Sequence, residues 1–166
     1  MKFDKKTIYN IFVLYLILNK VMKLKISSPA KIIFEWDIKQ ITLPTEIGDV
    51  TVLPWHAPMV TALKPWLIKI IPENQVSTSE FVFSKNTISL SVSKWMAFVD
   101  GKIVRIATAA ATTSLSESEK DLEDKKWKLE EEIKQLKKKW SLEEIEKSLI
   151  QLEKINADIK LKKLKA

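Results

Sequence analysis

The strongest constraint in this sequence is a change of pattern near residue 114. Before it, apolar and polar residues alternate in short runs such as Ile88-x-Leu90-x-Val92, and turn signals such as Asp100-Gly101 separate the runs. A period of two predicts strands with one buried face, and Asp-Gly allows the positive φ values of a tight hairpin. Residues 22–113 are therefore predicted to form an antiparallel β-sandwich or β-barrel.

Residues 114–166 contain no glycine and no proline, and their apolar residues recur at helical spacing. Ser141 and Glu144 have the spacing of a capping box, and the three lysines at 137–139 suit the end of a preceding helix. Two helices joined near Trp140 are therefore predicted rather than one long helix. Ser114 and Glu117 have the same spacing and are predicted to cap the first helix.

The residue counts exclude several kinds of site. The chain has 2 glycines, no cysteine and 1 histidine. The glycines, Gly48 and Gly101, are too far apart for a phosphate-binding loop or a dinucleotide fingerprint. Thiol chemistry, disulfides and a multi-histidine zinc site are equally excluded. No grouping of Ser, His and Asp suggests a catalytic triad around His56, so we expect no enzyme and no cofactor.

The net charge of +7 is spread along the chain rather than concentrated in one basic stripe. Spread lysine charge is typical of a solvated surface, and nucleic-acid binding needs lysines beside exposed aromatic residues. Residues 82–85 come nearest to that pattern, and the match is weak. We therefore expect no nucleic-acid partner.

Residues 1–21 pair a charged start with an apolar run over residues 8–18 that only Asn10 interrupts. As a helix this run spans roughly half of a bilayer core, so it does not predict a transmembrane helix. Three interpretations remain open: a short helix on a membrane surface, a cleaved leader, or translation from a start codon upstream of the native one.

Residues 43–65 carry the most specific signal. The segment from Pro44 to Leu63 resembles the signature P-T-x-x-G-x-x-x-V-L-P-x-H-A-P-x-x-T-A-L of the epsilon subunit of F-type ATP synthases, which is called delta in mitochondria. The family's order, a β-sandwich followed by a helix–turn–helix, agrees with the predicted elements. Met22 matches the family's usual start, so residues 1–21 are interpreted as a mis-assigned start or an added extension.

The resemblance implies a non-catalytic subunit of the central stalk, whose sandwich binds the gamma subunit and the ring of c subunits. It would couple rotation to ATP synthesis, as a peripheral protein on the cytoplasmic side of the cell membrane in the bacterial reading. The residues that it puts at these interfaces are Glu46, Asp49, Pro54, Trp55, His56 and Pro58. Trp66 is a further interface candidate, because tryptophan is enriched at interfaces.

The resemblance also implies that the helices can regulate ATP hydrolysis by reaching the catalytic beta subunits. The candidates for that contact are the terminal lysines Lys160, Lys162, Lys163 and Lys165. Members that bind ATP carry arginines on these helices, whereas this chain has no arginine after Arg105. Nucleotide binding is therefore not expected, because lysine is a poor substitute for the planar guanidinium.

One alternative from another class stays open. The chain could be a membrane-tethered helical adaptor, anchored by residues 8–18 and recruiting a partner through its helices. Stripping the membrane with EDTA discriminates the two hypotheses, because it should release a stalk subunit and leave an anchored protein behind.

Overall fold

The computed structural model describes residues 21–74, 81–84, 86–113 and 116–165. The hypotheses on residues 1–21 and the predicted cap at Ser114 fall almost entirely outside these ranges. The described chain has ten strands and then two helices, α1 and α2. Their bounds are β1 Met22–Ser27, β2 Ile32–Thr45, β3 Gly48–Val52, β4 Met59–Leu63, β5 Trp66–Pro72, β6 Val82–Ser84, β7 Thr87–Val92, β8 Trp95–Val99, β9 Ile103–Thr108, β10 Ala111–Thr112, α1 Glu119–Lys139 and α2 Leu142–Lys165.

The 14-residue strand β2 belongs to both layers of the sandwich. Its first half pairs with β1, from Met22 opposite Ile38 to Ser27 opposite Ile32. Its second half pairs with β3 on one side and with β5 on the other. One layer continues from β1 through β9 and β8 to β4, and the other continues from β5 through β7 to β6 and β10. The predicted β-sandwich followed by a helical hairpin is confirmed.

The sandwich core consists of the inward-facing residues of both layers. Leu24, Ile41, Leu63 and Leu90 have no exposed surface at all. The apolar stripes of the helices pack mainly against each other, and α2 also contacts β5, β6 and β7. The hairpin is thus docked on the sandwich through α2. Within the described ranges, neither helix is long and apolar enough to cross a membrane.

The start of α1 corrects one prediction. The helix is capped by Ser118, not by Ser114: the Ser118 hydroxyl accepts a hydrogen bond from the backbone N–H of Asp121, whose carboxylate accepts one from the Ser118 N–H. Both serines have an acid three residues later. The second cap prevails because it places Leu122, which is 3% exposed, at the first position of the buried stripe.

Replacing Trp140 with glycine is expected to stabilise the protein by about 1 kcal/mol. Trp140 ends α1 in the left-handed region (φ 55°), which strains any residue with a Cβ, and its side chain is 85% exposed. The substitution therefore relieves strain and removes little packing. Urea unfolding measures the change. Trp127→Gly, at an exposed position inside α1, is the control and should destabilise, because glycine is a poor helix former.

Candidate functional site

The loop Leu53–Pro58, which carries four of the six predicted interface residues, is fixed against the β8–β9 turn. The Trp55 N–H donates to the Gly101 carbonyl at 2.8 Å, and the His56 N–H donates to the Leu53 carbonyl at 3.1 Å. Trp55 has a left-handed backbone (φ 68°), and the Lys102 ammonium lies 5.6 Å from its ring centroid. Pro54 and Pro58 add fixed φ angles. The loop is therefore a preformed surface.

His56 has a structural contact within this loop. Its Nδ1 lies 2.8 Å from the Ala57 carbonyl oxygen, which can only accept, so Nδ1 carries the proton. The side chain is half-buried. Since a catalytic histidine needs a positioned nucleophile or substrate at its ring, this backbone contact describes a loop-stabilising residue.

Glu46 and Asp49 lie away from this loop, at the other end of β3. The five residues of β3 separate the two ends by about 13 Å or more at 3.3 Å per residue. Glu46 approaches Lys94 at 3.9 Å in the β7–β8 turn, whereas Trp55 bonds to Gly101 in the β8–β9 turn. The predicted set therefore divides into two separate surfaces.

The turn at the Glu46 end has its own character. Ile47, at its tip, is 94% exposed. The turn is held rigid because the Thr45 hydroxyl donates to the Gly48 carbonyl at 2.6 Å. One exposed apolar side chain between Glu46 and Asp49 makes a small, stiff and mostly acidic projection.

A larger apolar surface, which we call the β4–β8 face, lies on the outside of the sandwich. Val60 stands opposite Phe98 in the paired strands, and Ala62 stands opposite Met96. Val60 is 61% exposed, and Phe98 and Met96 are about 40% exposed. The loop that leads into β4 adds two further exposed apolar side chains, Leu53 and Trp55. A contiguous apolar patch of this kind marks an interaction site.

Charged groups border the β4–β8 face. Arg105 of β9 stands opposite Phe98 of β8, and its guanidinium lies 3.5 Å from the Asp100 carboxylate. The backbone N–H groups of Ile103 and Lys102 donate to Asp100 and hold the pKa of its carboxyl below the usual value. Asp100 therefore stays ionised at neutral pH, and its hydrogen bonds keep the turn closed. Together with Arg105 it gives the apolar β4–β8 face a charged rim.

The sequence contained a signal for this face that the predictions did not use. Residues 95–99 read Trp-Met-Ala-Phe-Val, five apolar residues in succession. A strand with one solvated face alternates, so an unbroken run indicates that both faces are covered. The inward residues Ala97 and Val99 are buried in the core, and the outward residues Met96 and Phe98 are partly exposed.

The terminal lysines contact the rest of the chain in this docked arrangement. The Lys160 ammonium lies 4.7 Å from the ring centroid of Trp66, so Trp66 makes a contact within the molecule, and its role at an interface with a partner stays a prediction. Lys163 pairs with Glu119 at the start of α1, at 3.1 Å. Lys162 is half-buried and the Lys165 side chain lies outside the described residues.

The described residues form no group of three His, Asp or Glu suited to a metal ion.

Comparison with known proteins gives the family. Residues 21–113 match the model of the ATP synthase Delta/Epsilon chain, beta-sandwich domain. The ATP synthase epsilon chain of Rickettsia bellii is 32% identical over 116 residues, which cover 70% of this chain and all of the relative. That of Nitratiruptor sp. is 33% identical over 106 residues, covering 63% and 77%.

The fold is also that of a chain in the mitochondrial ATP synthase of Euglena gracilis, described as OSCP/F1/c-ring. The TM-score is 0.63 at 18% identity, over 83% of this chain and 79% of the other. At that identity the likeness concerns the fold alone. The family model and the bacterial relatives carry the assignment: this chain belongs to the delta/epsilon family of ATP synthase subunits.

Proposed function

We propose that this chain is the epsilon subunit of an F-type ATP synthase central stalk, which joins the gamma subunit to the c-ring and so couples rotation to ATP synthesis. One observation carries the proposal beyond family membership: the exposed β4–β8 face is apolar at its centre and charged at its rim. A subunit that must resist torque needs a permanent interface, and permanent interfaces are apolar at their centres.

In this proposal the β4–β8 face and the loop of residues 53–58, which we call the Trp55 loop, bind gamma. Phe98, Met96 and Val60 supply the buried centre, while Lys102 and Arg105 stay at the rim. Aromatic side chains held on a strand lose little freedom on binding, so they are efficient anchors. The preformed Leu53–Pro58 loop extends this surface without an ordering cost.

The turn with Glu46, Ile47 and Asp49 is proposed to contact the c-ring. It lies at the far end of β3 from the Trp55 loop, so one chain can bind two partners at once. The two surfaces differ in chemistry as well as position, since the turn is small and acidic around Ile47.

The chain performs no bond chemistry in this role. The ring of His56 bonds a backbone carbonyl, and the loop around it is built from prolines and apolar residues. The subunit is proposed to sit peripherally at the membrane, on the side of the catalytic head, which is the cytoplasmic side in bacteria.

Regulation by the helices is a further part of the proposal. Lys160 and Lys163 have partners on Trp66 and Glu119 while the hairpin is docked. To bind acidic groups of the catalytic beta subunits, Lys160 and Lys163 must first lose these contacts within the chain.

Co-purification with gamma tests the main proposal. The tagged full chain, expressed together with the gamma subunit of the same organism, should retain gamma at near-equal amounts through a high-salt wash, because an apolar interface is insensitive to screening. Gamma shown to be folded by circular dichroism and yet not retained would refute it. Retention of the chain on membranes after EDTA stripping would instead support the anchored adaptor.

A further inference from the structure

A buried polar network lies between α2 and the sandwich. The Lys154 ammonium of α2 donates three hydrogen bonds: to Asp158 at 2.6 Å, to Ser91 of β7 at 2.8 Å and to Thr112 of β10 at 2.9 Å. The Ser91 hydroxyl also donates to Asp158. The Lys154 and Asp158 side chains are only 15% and 13% exposed. All three donors of the ammonium are thus satisfied, two of them by the sandwich.

The apolar part of the same interface is small. Leu161 of α2 is completely buried against Leu67 and Val82, and the half-buried Trp66 packs beside them. Apart from the contact of Lys160 with Trp66, this apolar cluster of three buried residues and one aromatic ring does little to distinguish one docking position of α2 from the next. A slide by one helical turn would bring Ile150 or Asp158 to the place of Lys154 and leave Ser91 without its donor.

The charge on Lys154 is costly where it lies. Burial lowers the pKa of its ammonium below the ordinary lysine value, and the attraction of Asp158 offsets this only in part. Breaking such a pair by removing one partner is strongly destabilising, because it leaves a buried charge uncompensated. Replacing the whole pair by apolar residues is often neutral or stabilising, because the desolvation penalty disappears.

We propose that the network of Lys154, Asp158, Ser91 and Thr112 fixes the position of the hairpin on the sandwich and at the same time limits how tightly the hairpin docks. The geometry provides both properties. Only one position of α2 satisfies all the buried groups, and the same groups can return to water when α2 leaves. Since residues of this chain satisfy all three donors of the Lys154 ammonium, we expect the hairpin to dock without a bound ligand.

Thiol labelling measures the opening of this interface. The chain has no cysteine, so Val82→Cys places a single thiol under Leu161. Its labelling rate reports how often the hairpin leaves the sandwich. In this background, Asp158→Leu alone and Lys154→Met alone are each expected to raise the rate by at least about tenfold, because each leaves a buried charge unpaired.

The decisive variant removes the three more buried polar groups of the network together and keeps the half-buried Thr112. Lys154→Met, Asp158→Leu and Ser91→Ala combined are expected to return the labelling rate to that of the Val82→Cys parent or below it. Val104→Cys, in the sandwich core, reports global unfolding and should stay protected in every variant. The matched control is Glu143→Leu with Lys147→Met, an exposed pair of the same spacing on α2 whose removal should change the rate less than twofold.

Three results would overturn the inference. Labelling as fast in the triple variant as in the single variants would mean that the network only strengthens docking. Single variants that label like the parent would mean that the network does not hold the hairpin. A parent whose labelling slows at least tenfold on addition of magnesium and ATP would mean that the docked state depends on a ligand.

Discussion

Phe98→Glu is expected to weaken binding of the chain to the gamma subunit by at least about 100-fold, since a charge buried in an interface without a partner costs several kcal/mol. Phe98 lies at the middle of the β4–β8 face, opposite Val60, and does not belong to the buried core of the sandwich. Its side chain is 41% exposed, so the free chain should keep its fold and most of its stability.

Titration of labelled gamma with the two purified chains measures the change, and far-ultraviolet circular dichroism checks the fold. Trp127→Glu is the matched control, because Trp127 is an exposed aromatic residue on α1, away from the β4–β8 face. It should bind gamma like the parent chain. Equal affinity of the Phe98→Glu and parent chains would remove the face from the proposed interface, and a loss in both variants would point to non-specific disruption.

Gly101→Ala is expected to lower the free energy of unfolding by about 2–3 kcal/mol. Gly101 has a φ of +85°, which a residue with a Cβ rarely adopts, and an added Cβ would lie 3.0 Å from the His56 carbonyl oxygen. That oxygen cannot move away easily, because the adjacent Trp55 N–H is hydrogen-bonded to Gly101 itself. Substitution therefore pushes the Leu53–Pro58 loop off the β8–β9 turn.

Gly48→Ala separates strain from close contact. Gly48 also has a positive φ, +126°, but an added Cβ would meet no atom within 4 Å. It should lose about 1 kcal/mol from backbone strain alone. Urea unfolding measures both losses. Equal losses at the two glycines would show that the Gly101–His56 contact contributes nothing.

Local sequence patterns predicted the strands, turns and helices correctly where only one local structure fits the pattern. Asp100-Gly101 lies in the β8–β9 turn as predicted, but only Gly101 has a positive φ (85°), so the expected two-residue turn with positive φ at both positions is wrong. The break at Trp140 is confirmed as well, because the lysines before it and the acids after it suit the end of one helix and the start of the next. The cap of α1 was assigned wrongly because Ser114 and Ser118 have equivalent local signals, and only the packing of Leu122 chooses between them.

The candidate site was predicted less completely. The signature over residues 44–63 led to the family and to the Trp55 loop, since a motif of that length needs no tertiary information to be recognised. It did not reveal that Glu46 and Trp55 lie at opposite ends of β3, nor that Phe98 lies beside Val60. Both facts depend on which strands pair and in what register.

The sequence by itself determined the family, the two-part architecture and the stiff turns, because each follows from neighbouring residues. The tertiary structure alone decided the rest. Lys154 and Ser91 are 63 residues apart in sequence and meet at 2.8 Å, and an i,i+4 lysine–aspartate pair on a helix ordinarily indicates a solvated surface. Only the docking of α2 turns that pair into a buried network, because burial is a property of what packs against a residue and not of the residue itself.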